Sequence, residues 1–311
     1  EKKHLEKIQK KVSSGLLSKY PSQQKAYSIL SSFLNHAEEN ILLFPGSDSA
    51  LKAVFESFID PNDRIIIPLP TYAMAEVYAK LYQANVSYLK YLDNKDFDVE
   101  KIISLLEENS NTRMIYLPNP GQPIGNVIPK NIMREIIAKA ENYGTLVVVD
   151  EAYFGFSDEP VSSLVGEFRN LIVMRTFSKL FGLAGVRIGY LILPNYIKNI
   201  VQKVKPLHDI NSFSLAALEV IIDNYDVTKN YINSLDTAKV FFQKQMSNIG
   251  FSCYYNCTNF IYVLFPEKFN SFELDKILKK NGILVRINYG EEPSLRITLA
   301  ELPVMKYVAS V

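Results

Sequence analysis

Arg175-Thr176-Phe177-Ser178-Lys179-Leu180-Phe181-Gly182-Leu183-Ala184-Gly185-Val186-Arg187-Ile188-Gly189-Tyr190 packs hydroxyls, a lysine, three glycines and the arginine at 187 into sixteen residues. It follows the apolar run Leu171-Ile172-Val173-Met174, which reads as a buried strand. A helix cap with surface charges would account for Ser178. It would not account for Lys179 standing among small and apolar neighbours. Such surroundings disfavour the ammonium form, and a lysine with a depressed pKa is a Schiff-base nucleophile.

Working outward, Val147-Val148-Val149-Asp150-Glu151-Ala152-Tyr153 ends another buried run in an acid, 29 residues before Lys179. A carboxylate at the end of a buried strand is costly unless paired, and the protonated ring nitrogen of a cofactor is one such partner. Further upstream, Phe44-Pro45-Gly46-Ser47-Asp48-Ser49 leads a strand through a glycine turn into a helix, whose free N–H groups and dipole suit a phosphate ester. Taken alone, Ser47 or Asp48 could equally be a simple N-cap. Pro70-Thr71-Tyr72 offers an aromatic face after the next strand.

The runs 41–44, 65–67, 114–117, 146–149 and 171–174 are continuously apolar, as strands covered on both faces are. Helical stripes lie between them: Leu51, Val54, Phe55 and Phe58, then Ile132, Met133, Ile136, Ile137 and Ala140. This alternation predicts an α/β layer structure with a largely parallel sheet and ligands at the carboxyl ends of its strands. Past about Lys205 the pattern becomes long helices, then short strands at 260–264, 283–287 and 295–299 around a helix at 272–280, a smaller α+β lobe. The Pro/Gly-rich stretch 118–125 reads as a loop after a strand.

Bulk properties close off other classes. Thirty-four basic against 33 acidic residues leave a net charge of +1, no general attraction for nucleic acid or an anionic membrane. Cys253 and Cys257 stand four apart without a histidine cluster, so neither zinc nor any other metal site is expected, nor a disulfide framework; a reducing cytoplasm fits. His4, His36 and His208 are isolated and receive no role. No apolar run approaches the roughly 20 residues of a membrane span. The chain opens on Glu1-Lys2-Lys3-His4, which is not a signal peptide, and an additional N-terminal piece is expected before it. The glycines at 182, 185 and 189 do not make a G-x-G-x-x-G, which argues against a dinucleotide enzyme.

Two motifs, Ser178-Lys179-x-x-Gly182-Leu183-Ala184-Gly185-x-Arg187-x-Gly189-Tyr190 and Asp150-Glu151-Ala152-Tyr153, occur in order and at this spacing. In them the chain resembles fold-type I pyridoxal 5'-phosphate enzymes of the class I/II aminotransferases, and most closely the histidinol-phosphate aminotransferase family, from Tyr20-Pro21 to Leu295-Arg296-Ile297-Thr298. The resemblance implies a large cofactor-binding α/β domain over 36–210, with 1–35 and 211–311 forming a smaller α+β domain and an N-terminal segment. It implies that Lys179 carries the cofactor as a Schiff base and moves the substrate proton, that Asp150 keeps the ring nitrogen protonated, and that Tyr153 bonds the phenolic oxygen. Tyr72 matches the stacking aromatic, and Ala152 the small residue on the opposite ring face. Ser47, Asp48, Thr176, Ser178 and Arg187 match the phosphate contacts. Tyr20 matches a tyrosine that crosses a homodimer interface to the neighbour's phosphate group. Arg296, with Arg286 and Asn259 beside it, matches the substrate-anion site.

One loop departs from the family pattern. Asn119-Pro120-Gly121-Gln122-Pro123-Ile124-Gly125 places Gln122 where an asparagine usually reaches the phenolic oxygen. A glutamine donates the same hydrogen bond from one methylene further out. The expected reaction is transfer of an amino group between a small amino acid or phosphorylated amine and a keto compound. Decarboxylation of an O-phosphoamino acid, such as phosphothreonine or phosphoserine, is the alternative on the same site, and a non-catalytic module of this fold is a third reading that the intact Lys179, Asp150, Tyr153 and Arg187 oppose.

Overall fold

The computed structural model describes residues 1–311 except 1, 13, 110, 159, 255, 256, 267, 268 and 289–291, and leaves undescribed the side chains of Lys2 and Ser14. Strands β1 (Ile41–Phe44), β2 (Arg64–Leu69), β3 (Asn85–Lys90), β4 (Thr112–Pro118), β5 (Leu146–Asp150), β6 (Leu171–Thr176) and β7 (Gly189–Ile192) build one sheet in the order β1-β7-β6-β5-β4-β2-β3. The pairs β2·β3, β2·β4, β4·β5 and β5·β6 are parallel, whereas β7 runs antiparallel between β6 and β1. A second sheet, ordered β10-β11-β9-β8 and wholly antiparallel, holds β8 (Ser252–Tyr254), β9 (Phe260–Leu264), β10 (Arg286–Ile287) and β11 (Ser294–Thr298).

The helices are α1 (Lys2–Lys11), α2 (Ser14–Leu17), α3 (Gln24–Leu34), α4 (Ser47–Phe58), α5 (Ala73–Leu81), α6 (Val99–Glu108), α7 (Lys130–Asn142), α8 (Asn195–Val201), α9 (Ser212–Ile222), α10 (Asp226–Asn248), α11 (Ser271–Lys280) and α12 (Leu302–Ser310). The expected apolar runs are β1, β2, β4, β5 and β6, and the stripe at 51–58 is α4. Because side chains alternate across a strand, each run feeds two cores. Leu43, Ile66, Ile115, Val147, Val149 and Val173 pack beneath α3, α6, α7 and α9. Leu42, Ile67, Tyr116, Val148, Ile172 and Met174 pack beneath α4, α5 and α8. Continuous burial on both faces is why these strands carry no polar alternation.

Two expectations change in detail. The run 283–287 pairs only at Arg286–Ile287, and the sheet gains β8, whose three residues have no apolar pattern. The small sheet has its own core, where Leu235, Ala238 and Phe242 of α10 meet Ile261, Val263, Leu295 and Ile297. Among the described residues no helix is long and apolar enough to cross a membrane.

Candidate active site

The carboxyl ends of β4, β5 and β6 point the same way, and so does that of β1, which lies two antiparallel steps from β6. The segments leaving these ends, with the turn after β2, enclose a cleft of about 190 Å3. Ser47 and Asp48 enter it from the start of α4, Tyr72 from the turn before α5, and Gln122 from the loop after β4. Asp150 and Ala152 come from the end of β5, while Thr176, Ser178, Lys179, Ala184 and Arg187 come from the segment linking β6 to β7.

One end of the cleft is built for an anion. Gly46 precedes α4 at φ +93°, with no side-chain cap on the first turn, so the helix N-terminus is left to an external acceptor. Thr176 donates to the Ser178 hydroxyl at 3.0 Å, gathering two hydroxyls beside it. Arg187, itself at φ 56°, lays its guanidinium so close that a Cβ on Gly46 would lie 2.5 Å from Nη2. A Cβ on Gly189 would meet the backbone of Ser47, Gly46 and Arg175 at 2.6–2.9 Å, so only glycine lets β7 approach this turn. Tyr72 donates to Asp48 Oδ1 at 3.3 Å, which draws that carboxylate aside; burial and the Asp48 charge push the phenol up to about 12.

At the other end stands Asp150, buried at the tip of β5. Its Oδ2 accepts from the Tyr116 hydroxyl at 2.6 Å and its Oδ1 from the Ala152 amide at 3.0 Å. Burial pushes its carboxyl up to about 6 against those two hydrogen bonds and the Lys179 charge, which pull it down. The Lys179 amine is held below its ordinary value, first by burial and then by the positive charge of Arg296; Asp150 opposes this, and Arg286 and Arg187 add to it. Nζ lies 5.6 Å from the centre of the Tyr153 ring. Tyr153 donates to Gln122 Oε1 at 3.3 Å.

The remaining candidates lie outside the cleft. Arg286 and Arg296 stand directly opposite one another across β10 and β11. Arg296 lies over the Phe260 ring at 5.1 Å, and Phe260 meets Tyr153 edge-on at 5.0 Å, a ring-to-ring path from the small sheet to the cleft. Asn259 holds the same corner, its carbonyl accepting from Leu299 N at 2.8 Å. Tyr20 is 81% exposed and stacks on His208 with ring centres 4.4 Å apart, so that this histidine has a packing partner. No cluster of metal-ligating side chains occurs among the described residues.

The family model for aminotransferase class I and II matches residues 2–309. The chain belongs to that family. A histidinol-phosphate aminotransferase of Thermoanaerobacter sp. (strain X514) is 33% identical over 311 residues, covering 98% of this chain and 86% of the relative. The solved histidinol-phosphate aminotransferase of Sinorhizobium meliloti, in complex with pyridoxal-5'-phosphate, superposes with a TM-score of 0.89 at 23% identity over 99% of this chain and 85% of that one. L-threonine-O-3-phosphate decarboxylase of Porphyromonas gingivalis shares the fold, with a TM-score of 0.85 at 21% identity over 100% and 94%. This chain is thus a pyridoxal-phosphate-dependent aminotransferase with amino and keto substrates.

The aminotransferase cleft fits that cofactor on its own chemistry. A helix start, two hydroxyls and a guanidinium converge where a phosphate would sit, and a buried carboxylate faces the cleft from the far end. An amine with a lowered proton affinity, that of Lys179, lines the same cleft. Sequence reasoning missed three contributors to the aminotransferase site. Tyr116 sits inside an apolar run, where a tyrosine reads as core. Ala184 is too small to signal anything. The third is the buried pair Glu151–Arg175, 2.7 Å apart, in which Arg175 also donates to Ser162 and Glu151 accepts from Val161 N at 2.5 Å. That pair anchors the turn after Asp150 to the strand that delivers Lys179, and two charges adjoining two motif residues were its only signal.

Proposed function

We propose that this enzyme exchanges an amino group between a small amino acid and a phosphorylated partner of the histidinol phosphate type. The observation that carries it is the register of Arg286 against Arg296, two permanent cations facing across neighbouring strands and both lowering the proton affinity of Lys179. Two guanidinium side chains at one register position, both near enough to act on Lys179, can offer charge-assisted bonds to a substrate anion. The names of the curated relatives suggest which anion.

When bound, pyridoxal phosphate supplies a carbonyl that takes up the amino group and a protonated ring that draws electrons from the substrate Cα. In this reading Ser47, Asp48 through its backbone, Thr176, Ser178 and Arg187 hold the phosphate end. Asp150 keeps the proton on the ring nitrogen. Tyr153 and Gln122 orient toward the phenolic oxygen, while Tyr72 and Ala152 flank the ring. Lys179 would hold the cofactor through its amine and, as the free amine, would move the proton that leaves the substrate Cα. Residues 36–210 would form the cofactor domain, with the C-terminal lobe and the N-terminal segment closing over it; the Lys95–Glu292 ion pair at 2.7 Å spans the two sides. Tyr20 would serve the partner subunit of a homodimer.

The test is steady-state turnover of histidinol phosphate, histidinol, phosphothreonine and threonine with and without 2-oxoglutarate, products read by mass spectrometry. One or two lost charge-assisted bonds at about 1.5–3 kcal/mol each should cut kcat/KM for the dephosphorylated amine by roughly ten- to ten-thousand-fold. Equal values would end the phosphate reading. Carbon dioxide release from phosphothreonine without a keto acid would move the enzyme to the decarboxylase side.

A further inference from the structure

Tyr116 is a fully buried phenol in the apolar stretch Met114-Ile115-Tyr116-Leu117 of β4. It pairs in register with Val148 on the neighbouring parallel strand, and Asp150 lies one pleat further along on the same face. A tyrosine is long enough to reach that diagonal position. The phenol therefore meets Asp150 Oδ2 at 2.6 Å, and the Ala152 amide takes Oδ1. Both oxygens of a buried carboxylate thus have a fixed donor, and the same carboxylate lines the cleft.

We propose that Tyr116 is a positioning residue of this aminotransferase, orienting Asp150 and holding it as the carboxylate. This role rests on the proposed placement of Asp150 against the cofactor's ring nitrogen. Burial drives Asp150 toward its neutral acid. A neutral acid would leave the ring nitrogen without a counter-charge. The phenol opposes this because it can only donate to the carboxylate, its own ionisation being driven far up by burial first and by the Asp150 charge next. Packing fixes the ring, so the hydroxyl also sets the angle of the carboxyl plane. A phenylalanine would fill the same space and do neither.

The experiment uses Tyr116→Phe, which keeps the ring. In the apoenzyme, with aspartate labelled at 13Cγ, the Asp150 titration midpoint should rise, its proton affinity growing tenfold or more. In holoenzyme carrying 15N-labelled cofactor, the ring nitrogen resonance should move toward the unprotonated position, with kcat falling and KM little changed. A merely structural tyrosine would move neither resonance. Should Tyr116→Phe fold poorly, site-specific 3-fluorotyrosine at 116, a stronger donor of nearly equal size, should shift the apoenzyme midpoint downward instead. An Asp150 midpoint unmoved by the substitution that folds overturns the proposal. The holoenzyme of Asp150→Asn tests the underlying reading separately: a 15N shift like that of the wild type would show that Asp150 does not serve the ring nitrogen, whatever Tyr116 does in the apoenzyme.

Discussion

Lys179 and Asp150 illustrate how far a single residue's surroundings set its chemistry. The same burial lowers the proton affinity of the amine and raises that of the acid, so each moves toward its neutral form. Lys179→Ala should fold and still take up pyridoxal phosphate, but only reversibly: borohydride reduction and peptide mapping should find the phosphopyridoxyl mass on residue 179 in the wild type and on no lysine in the variant. For Asp150 the consequence is a stability that depends on pH. Its folded pKa of about 6 lies above the ordinary 3.8, so between those values the folded apoenzyme binds more protons than the unfolded chain. This group's stabilisation is complete below about pH 4 and is lost as pH rises through about 6. Asp150→Asn should remove that slope, gaining up to roughly 3 kcal/mol relative to wild type above pH 6, measured by denaturant unfolding of the two apoenzymes across pH 4–8. Lys179 and Asp150 stood out in the sequence because a lysine or an acid beside buried strands demands a reason, whereas Arg187 was assigned only through the family resemblance. Tyr116 was not, since the same letters spell an ordinary core, and only the strand register brings its hydroxyl to Asp150.

At the scale of elements, the site depends on strand ends and on the turns that leave them. The five apolar runs were readable as strands because burial on both faces imposes uninterrupted aliphatic sequence. Their order in the sheet, with β7 inserted antiparallel between β6 and β1, was not, because pairing across 145 residues or more leaves no local pattern. Gly189 is where that insertion is made possible. A Cβ there would meet three backbone atoms that cannot rotate away, so Gly189→Ala must separate β7 from the start of α4. The expected cost is about 1–3 kcal/mol of stability, together with weaker cofactor retention because Ser47 and Arg187 lose their spacing. Thermal unfolding and equilibrium dialysis of the cofactor would report the two effects; a variant as stable and as fully loaded as wild type would contradict the close approach. Gln122 is a second case. The sequence marked it as a departure from the family pattern, and the structure shows Tyr153 donating to the longer side chain.

Over the whole molecule, one surface stands apart. Leu17, Tyr20 and Leu207 are 67%, 81% and 79% exposed, and the segments that carry them meet where Tyr20 stacks on His208 and Ser212 Oγ donates to the Leu16 carbonyl. Large apolar side chains grouped at the surface mark association sites. Sedimentation should find a dimer for the wild type and a monomer with reduced cofactor retention for Leu207→Asp; a wild-type monomer fully loaded with cofactor would rule out a cross-subunit role for Tyr20. The sequence pointed to Tyr20 only through its likeness to a family. Nothing in its composition or periodicity tells an exposed tyrosine that awaits a partner from one that faces water.

The two-residue length of β10 has a bearing on motion. Among the described residues this strand is the outer edge of its sheet, paired with β11 alone, and its first residue stands opposite Arg296 in the register. So short an edge pairing frays easily, and if the proposed substrate anion binds at Arg286 and Arg296, its capture would tighten it. Substrate capture and the order of that margin are then one equilibrium. Amide deuterium uptake at Arg286 and Ile287 should slow severalfold when a phosphorylated amine binds and stay unchanged with its dephosphorylated analogue, making the sheet margin a reporter of which ligand the enzyme has accepted.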